Sequence, residues 1–240
     1  MSRKWMTALW GLFLTVLLIG NSVEASIAPE DRAQLQQSNG AFFYLCKKSV
    51  NIDTQAKKEQ ARQLVITGQD FQMAKALLNK VIELDSKDSE AYLLRALLYT
   101  DAKKYDNADN DYMGALRLET ENPTFYYLRA MNSLYRGRSR GQINGFYLDT
   151  YYYIEAKKYF NKALEIEPNY IDAIVGMGDC AYDKKEYNEA IDWYNKVLVM
   201  LPNHDVVLAK KTDAEVALKK IQEKIQEKQQ QRELDRRING

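Results

Sequence analysis

The sequence predicts an all-α solenoid of stacked helical hairpins, and two observations carry that prediction. The first is a repeat every 34 residues: Phe71, Ala74, Leu78 and Val81 return as Tyr105, Ala108, Tyr112 and Ala115, while Tyr92, Arg95 and Ala96 return as Tyr126, Arg129 and Ala130. Tyr153, Ala156, Phe160, Ala163 and Pro168 likewise return as Tyr187, Ala190, Tyr194, Val197 and Pro202. Small and aromatic residues recurring at that period mark a helical-hairpin repeat. The second is that Pro29, Pro123, Pro168 and Pro202 all fall between candidate helices, where helices tolerate them.

Residues 1–25 read as a secretory signal. Arg3 and Lys4 precede an apolar run from Trp5 to Ile19, and Val23-Glu24-Ala25 offers a small-residue cut site before Ser26. The uncharged stretch continues to Val23, so a retained anchor contacting the membrane through residues 5–23 stays open beside cleavage. Either way the folded part is expected outside the cytoplasm, periplasmic or secreted, or tethered to the membrane on that side. Residues 26–54 form a lead-in, whose Phe42, Phe43, Tyr44 and Leu45 call for burial as an extra cap helix on the first repeat.

Four repeats follow, at 55–88, 89–122, 123–170 and 171–204. The third holds about fourteen extra residues near 136–149, read as an inserted loop in which Gly137, Gly141 and Gly145 act as flexible punctuation. Residues 205–240 read as a capping helix with a polar tail. Val207, Leu208, Ala214, Leu218, Ile221 and Ile225 make its apolar stripe. Beyond Ile225 the pattern fades, which leaves a solvated helix end or a partner-docking helix as alternatives.

The run from Ile171 to Asn203 resembles a tetratricopeptide repeat throughout. Gly178 sits where the first helix meets its partner, Tyr187 and Ala190 sit at the entry of the second, Tyr194 and Val197 on its packing face, and Pro202 at the closing turn. Antiparallel helices approach closely only where Gly or Ala replaces a bulky side chain, and aromatics fill the wider gaps. Departures are Ser86 and Thr120 in place of the closing proline, and Arg62 where the first repeat expects a small residue. The resemblance implies a right-handed superhelix closed by the long C-terminal helix.

Composition sets further bounds. A net charge of +1 gives no reason to expect a nucleic-acid partner, and the 17 tyrosines suit helix interfaces and binding grooves. Cys46 and Cys180 form no framework, and neither has a neighbouring metal-ligand set. His204 is the one histidine and falls in an inter-repeat turn. Acidic pairs such as Asp109 and Asp111 have the spacing of a solvated face. The glycines of the insertion lack the ending of a phosphate loop. No enzyme and no cofactor are expected.

In the family that the chain resembles, first helices line a concave surface that holds peptides or partner helices. The matching positions are Glu90, Leu93, Leu97 and Asp101; Thr124, Tyr127, Met131, Leu134 and Tyr135; and Asp172, Val175, Asp179, Tyr182 and Asp183. An apolar middle with acidic edges would suit a protein or peptide segment with apolar anchors and basic flanks. The alternative is that the array covers these side chains itself. The cationic clamp by which some relatives read acidic chaperone tails is lacking, because its positions hold Glu59, Gln63, Leu94, Thr124 and Leu128. The insertion is a second candidate, since Arg136, Arg138 and Arg140 give it a basic start suited to an anionic lipid surface or an acidic protein. The implied role is a non-catalytic scaffold; self-assembly through the groove or tail, or membrane-attached accessory work, are the other readings.

Overall fold

The structure, a computed structural model, describes the backbone of residues 52–144 and 148–239 and the side chains of 54–140 and 150–237. The expected signal, the lead-in aromatics and Cys46 lie outside these residues. The described elements are all helices: α1 (Ile52–Thr67), α2 (Phe71–Leu84), α3 (Ser89–Asp101), α4 (Tyr105–Leu118), α5 (Pro123–Asn144), α6 (Leu148–Ile166), α7 (Ile171–Asp183), α8 (Tyr187–Met200) and α9 (Asp205–Asn239). Successive pairs form hairpins, and each hairpin stacks on the next.

Local chemistry sets several helix starts. Asp70 and Asp88 accept from the backbone N–H groups of Met73 and Ala91, at 3.0 and 2.9 Å, and so cap α2 and α3. Pro123 opens α5, where its missing N–H costs nothing, and Asn122 accepts from Thr124 N–H at 3.1 Å. The lone histidine also serves a helix start, because His204 Nδ1 faces Val207 N–H at 3.4 Å in the first turn of α9. Lys103 and Lys185 adopt left-handed φ values of 57° and 64° in the turns after α3 and α7.

Packing follows the pattern of small and aromatic residues. A Cβ at Gly178 would lie 2.5 Å from the Tyr194 ring, so the fourth hairpin closes only on a residue without one. Gly176 meets the Phe160 ring more closely still, which joins α7 to α6 of the preceding hairpin. Ala74, Ala108, Ala156 and Ala190 are all fully buried. In the first hairpin the small residue in the core is Ala61, one position before the expected site. Arg62 is thereby turned out of the core, onto Glu90 and Glu59.

Buried polar groups pin one hairpin to the next. Thr100 Oγ1 donates to Asn132 Oδ1 at 3.1 Å, and Asn132 Nδ2 donates to the Tyr105 carbonyl at 3.1 Å. Burial costs such groups their water, so each must find a partner. Arg95 grips Asp111 within the second hairpin with two donors, at 2.7 and 2.6 Å, and donates from Nη1 to Asn79 Oδ1 of the first at 2.7 Å.

Two elements differ from their expected form. The third repeat contains no fourteen-residue loop, because residues 136–144 belong to α5 and 148–149 to α6. α5 runs for 22 residues and α6 for 19, against 13 and 14 in the fourth hairpin. Gly137 and Gly141 lie inside α5. On α9, only Val207 and Ala214 of the expected stripe are buried; Leu208, Ile221 and Ile225 are exposed. α8 has 14 residues and α9 has 35, so α8 ends before the later part of the stripe.

Overpacking the close contact with Ala190→Leu is expected to cost about 1–3 kcal/mol. An unchanged melting temperature would mean that this contact is not where the helices touch. Lys185→Gly should stabilise the chain by about 0.5–1 kcal/mol, because glycine adopts the left-handed turn without a Cβ clash. Chemical denaturation of the variant checks this.

Candidate binding surface

Most side chains expected to line an open groove are buried. Leu93, Leu97, Tyr127, Met131, Leu134 and Tyr135 belong to the central core cluster, and none is more than 9% exposed. Tyr127 packs on Phe160 and Tyr170, with ring centroids 6.0 and 5.6 Å apart. Val175 lies in the C-terminal core, and Thr124 is also buried. These residues are corrected from contact surface to core. Tyr127, for one, is enclosed by Phe160 of its own hairpin and by Tyr170 just before α7.

Two of the expected acidic residues are buried as well, and both carry structural ties. Glu90 pairs with Lys58 at 2.9 Å and with Arg62, linking α1 to α3. Lys58 also binds Asp88 at 2.8 Å. Burial opposes the charge of this lysine, yet its two carboxylate partners raise its pKa above the ordinary value. Asp179 accepts from the Tyr194 hydroxyl at 2.8 Å and from Lys210 at 3.0 and 2.9 Å. One carboxylate therefore joins α7, α8 and α9.

Asp101, Asp172, Tyr182 and Asp183 remain partly exposed. Asp183 accepts from Arg138 Nε at 2.7 Å. Burial raises its pKa, and the guanidinium only partly offsets that. Tyr182 stacks edge-on against Tyr187 at 5.3 Å. Burial first, then the negative charge of Asp213, hold its hydroxyl above its usual pKa. Asp213 is on α9, so the surface continues beyond the fourth hairpin. One repeat length beyond Asp172, Val175, Asp179 and Tyr182 come Val206, Ala209, Asp213 and Val216. All four are exposed, Val206 and Val216 each at 46%. Sequence reasoning missed them by treating α9 only as a cap; extending the period by one more repeat finds them.

The three arginines of the insertion lie on α5, not on a loop. Arg136 pairs with Asp106 and lies 4.5 Å from the Tyr152 ring centre. Arg138 holds Asp183, and Arg140 lies 5.6 Å from the Tyr152 ring centre. At the clamp positions of the first helices, Leu94 and Leu128 are buried, and Glu59 accepts from Arg62. Cys180 is a free, buried thiol, and burial raises its pKa. Among the described residues, no group of three His, Cys, Asp or Glu side chains is placed to hold a metal.

Tetratricopeptide-repeat sequence models match residues 152–214 and 89–122. The fold is a tetratricopeptide solenoid. Solved structures agree with this assignment. A tetratricopeptide repeat protein from Parabacteroides merdae is 18% identical with a TM-score of 0.59, over 80% of this chain and 68% of that one. PilW, described as a widely conserved type IV pilus biogenesis factor, is 23% identical with a TM-score of 0.54, over 74% of this chain and 80% of its own. MamA is 20% identical with a TM-score of 0.50, over 74% of this chain and 94% of its own. At these identities the likeness establishes the fold. No curated protein matches the chain. Tetratricopeptide proteins generally mediate protein–protein interaction and are typically non-catalytic.

Leu97→Ala should lower stability by about 2–5 kcal/mol, as for a leucine removed from a packed core. A melting temperature equal to wild type would return Leu97 to the surface.

Proposed function

We propose that the chain is a non-catalytic interaction scaffold working outside the cytoplasm, and that it holds a partner segment against the concave face of α7 and α9. The observation that carries this reading is the set of partly exposed side chains there. Tyr182, Val206 and Val216 offer apolar contact, while Asp172, Asp183 and Asp213 supply negative charge around them. The complementary segment is a peptide or helix with apolar anchors and flanking Lys or Arg. Leu93, Leu97, Tyr127 and Met131, nearer the N-terminus, are buried, so the partner is placed on the C-terminal half.

Work outside the cytoplasm is supported by the basic start, apolar run and small-residue cut site of residues 1–25. Among the described residues, no helix is long and apolar enough to cross a membrane. A retained first segment would make the protein a membrane-attached accessory factor. A second reading, self-assembly, is favoured by one observation: Ile221 and Ile225 continue the line of Val207 and Ala214 past the end of α8 and are exposed.

Photo-crosslinking in native cells tests the proposal, with a probe at Val216 and a control probe at exposed Lys80. One partner captured at Val216 alone, and weakened about tenfold by Asp213→Lys, is the expected result. Crosslinks between copies of the chain would support self-assembly instead. Silence at Val216 would remove the α7–α9 face from consideration.

A further inference from the structure

The end of the array where first helices turn into second helices is basic and carries two bare apolar side chains. Lys103 and Lys104 lie in the turn between α3 and α4, and Lys184 and Lys185 in the turn between α7 and α8. The long α5–α6 hairpin stands between these turns and touches both. Arg136 reaches Asp106 at the start of α4, and Arg138 reaches Asp183 at the end of α7. Lys184 Nζ donates to Thr150 Oγ1 at 3.1 Å and lies 5.9 Å from the Tyr153 ring centre. The two turns and the start of α6 therefore form one continuous edge.

The balance of charge on this edge is positive. Arg136 and Arg138 engage Asp106 and Asp183. Counted by position in the sequence, Lys103, Lys104, Arg140, Lys158, Lys184 and Lys185 then stand against Asp101, Asp149, Glu155 and Glu186 on the same stretch. Lys103, Lys104 and Lys185 are exposed. Tyr151 and Ile154 project one helical turn apart on α6, 62% and 64% exposed. They flank Thr150 and Tyr153, the residues that Lys184 touches. The Tyr151 ring is held edge-on to Tyr152, with centroids 5.2 Å apart. Single exposed hydrophobes are ordinary, but an adjacent aromatic and aliphatic pair on an edge with an excess of cations has the composition of an interfacial contact.

We infer that this edge seats on an anionic lipid surface, with Tyr151 and Ile154 entering the headgroup layer and the lysines and Arg140 lying above it. The observations favour lipid over an acidic protein. Tight protein recognition centres on anchors enclosed in a pocket, whereas Tyr151 and Ile154 protrude. The charges are mainly lysines, which act as compact point charges and need no fixed partner geometry. Tyrosine also favours the depth of the headgroups. Each lysine near such a surface contributes about a fivefold gain in binding.

The test uses the full chain with vesicles of phosphatidylcholine alone or with 30% phosphatidylglycerol. Tyr151→Trp supplies a local reporter, read as its emission minus that of wild type, so any insertion of residues 1–51 cancels. The expected result is a blue shift of this added emission with phosphatidylglycerol vesicles only, diminishing as salt is raised. Adding Lys103→Glu and Lys185→Glu to the reporter should weaken the response at least tenfold without changing the melting temperature. No shift, an equal shift with neutral vesicles, or an undiminished shift in the reversed variant would each overturn the inference. Binding to polyglutamate that Lys103→Glu/Lys185→Glu abolishes, with no vesicle response, would replace lipid with an acidic polypeptide. Asp213 and Val216 are untouched by these variants, so this inference and the concave-face proposal fail separately.

Discussion

The absence of a side chain at Gly178 is the constraint on which the C-terminal half of the array depends. With a Cβ there, the Tyr194 ring would have to move. With none, the ring packs against the Gly178 backbone, and its hydroxyl reaches Asp179. Gly176, two residues earlier, does the same for Phe160 of the preceding hairpin. One helix thus uses two glycines to receive aromatic rings from two neighbours. Two contacts of this kind fix both the closure of a hairpin and its distance from the next. The same cluster encloses Leu93, Leu97, Tyr127 and Met131, with Tyr127 held between Phe160 and Tyr170.

Charge then decides what the packing leaves open. A buried ion pair gains little net stability, because desolvation offsets the attraction, but losing one partner leaves an uncompensated charge. Asp179 stands at the position held by Leu97 and Met131 in earlier repeats. Its carboxylate is satisfied by Tyr194 and Lys210, so α9 is held in the place a fifth first helix would take. At the other end, Lys58, Asp88, Glu90 and Arg62 fix α1 against α3 in the same manner. The rotated α1, with Ala61 in the core, is the packing that lets Arg62 join this cluster.

The lengthened third hairpin changes the outline of the solenoid without interrupting it. Residues 136–144 and 148–149 are helical, and Arg136 and Arg138 clasp carboxylates on the hairpins to either side. The hairpin therefore braces its neighbours while raising Tyr151 and Ile154 into solvent. The concave face of α7 and α9 and this raised edge present different chemistries, one acidic and apolar, the other basic and aromatic. A scaffold with two such faces has the means to hold a protein segment and a surface at once.

The sequence by itself determined the fold class, because a period of 34 with alternating small and aromatic residues leaves few ways to pack two helices. It also singled out Gly178 and Ala190 as close contacts, since the need for a small residue is local to the hairpin. Tertiary structure alone decided which face of each helix stays open. Leu97 and Val216 are both apolar residues at first-helix positions of the repeat period, yet one is buried in the core and the other is 46% exposed. Periodicity records a position within a helix and not what stands opposite it. The same limit applies to Arg136 and Arg138, which read as a basic loop in one dimension. Only in three dimensions do Asp106 and Asp183, 30 and 45 residues away, come within reach of them.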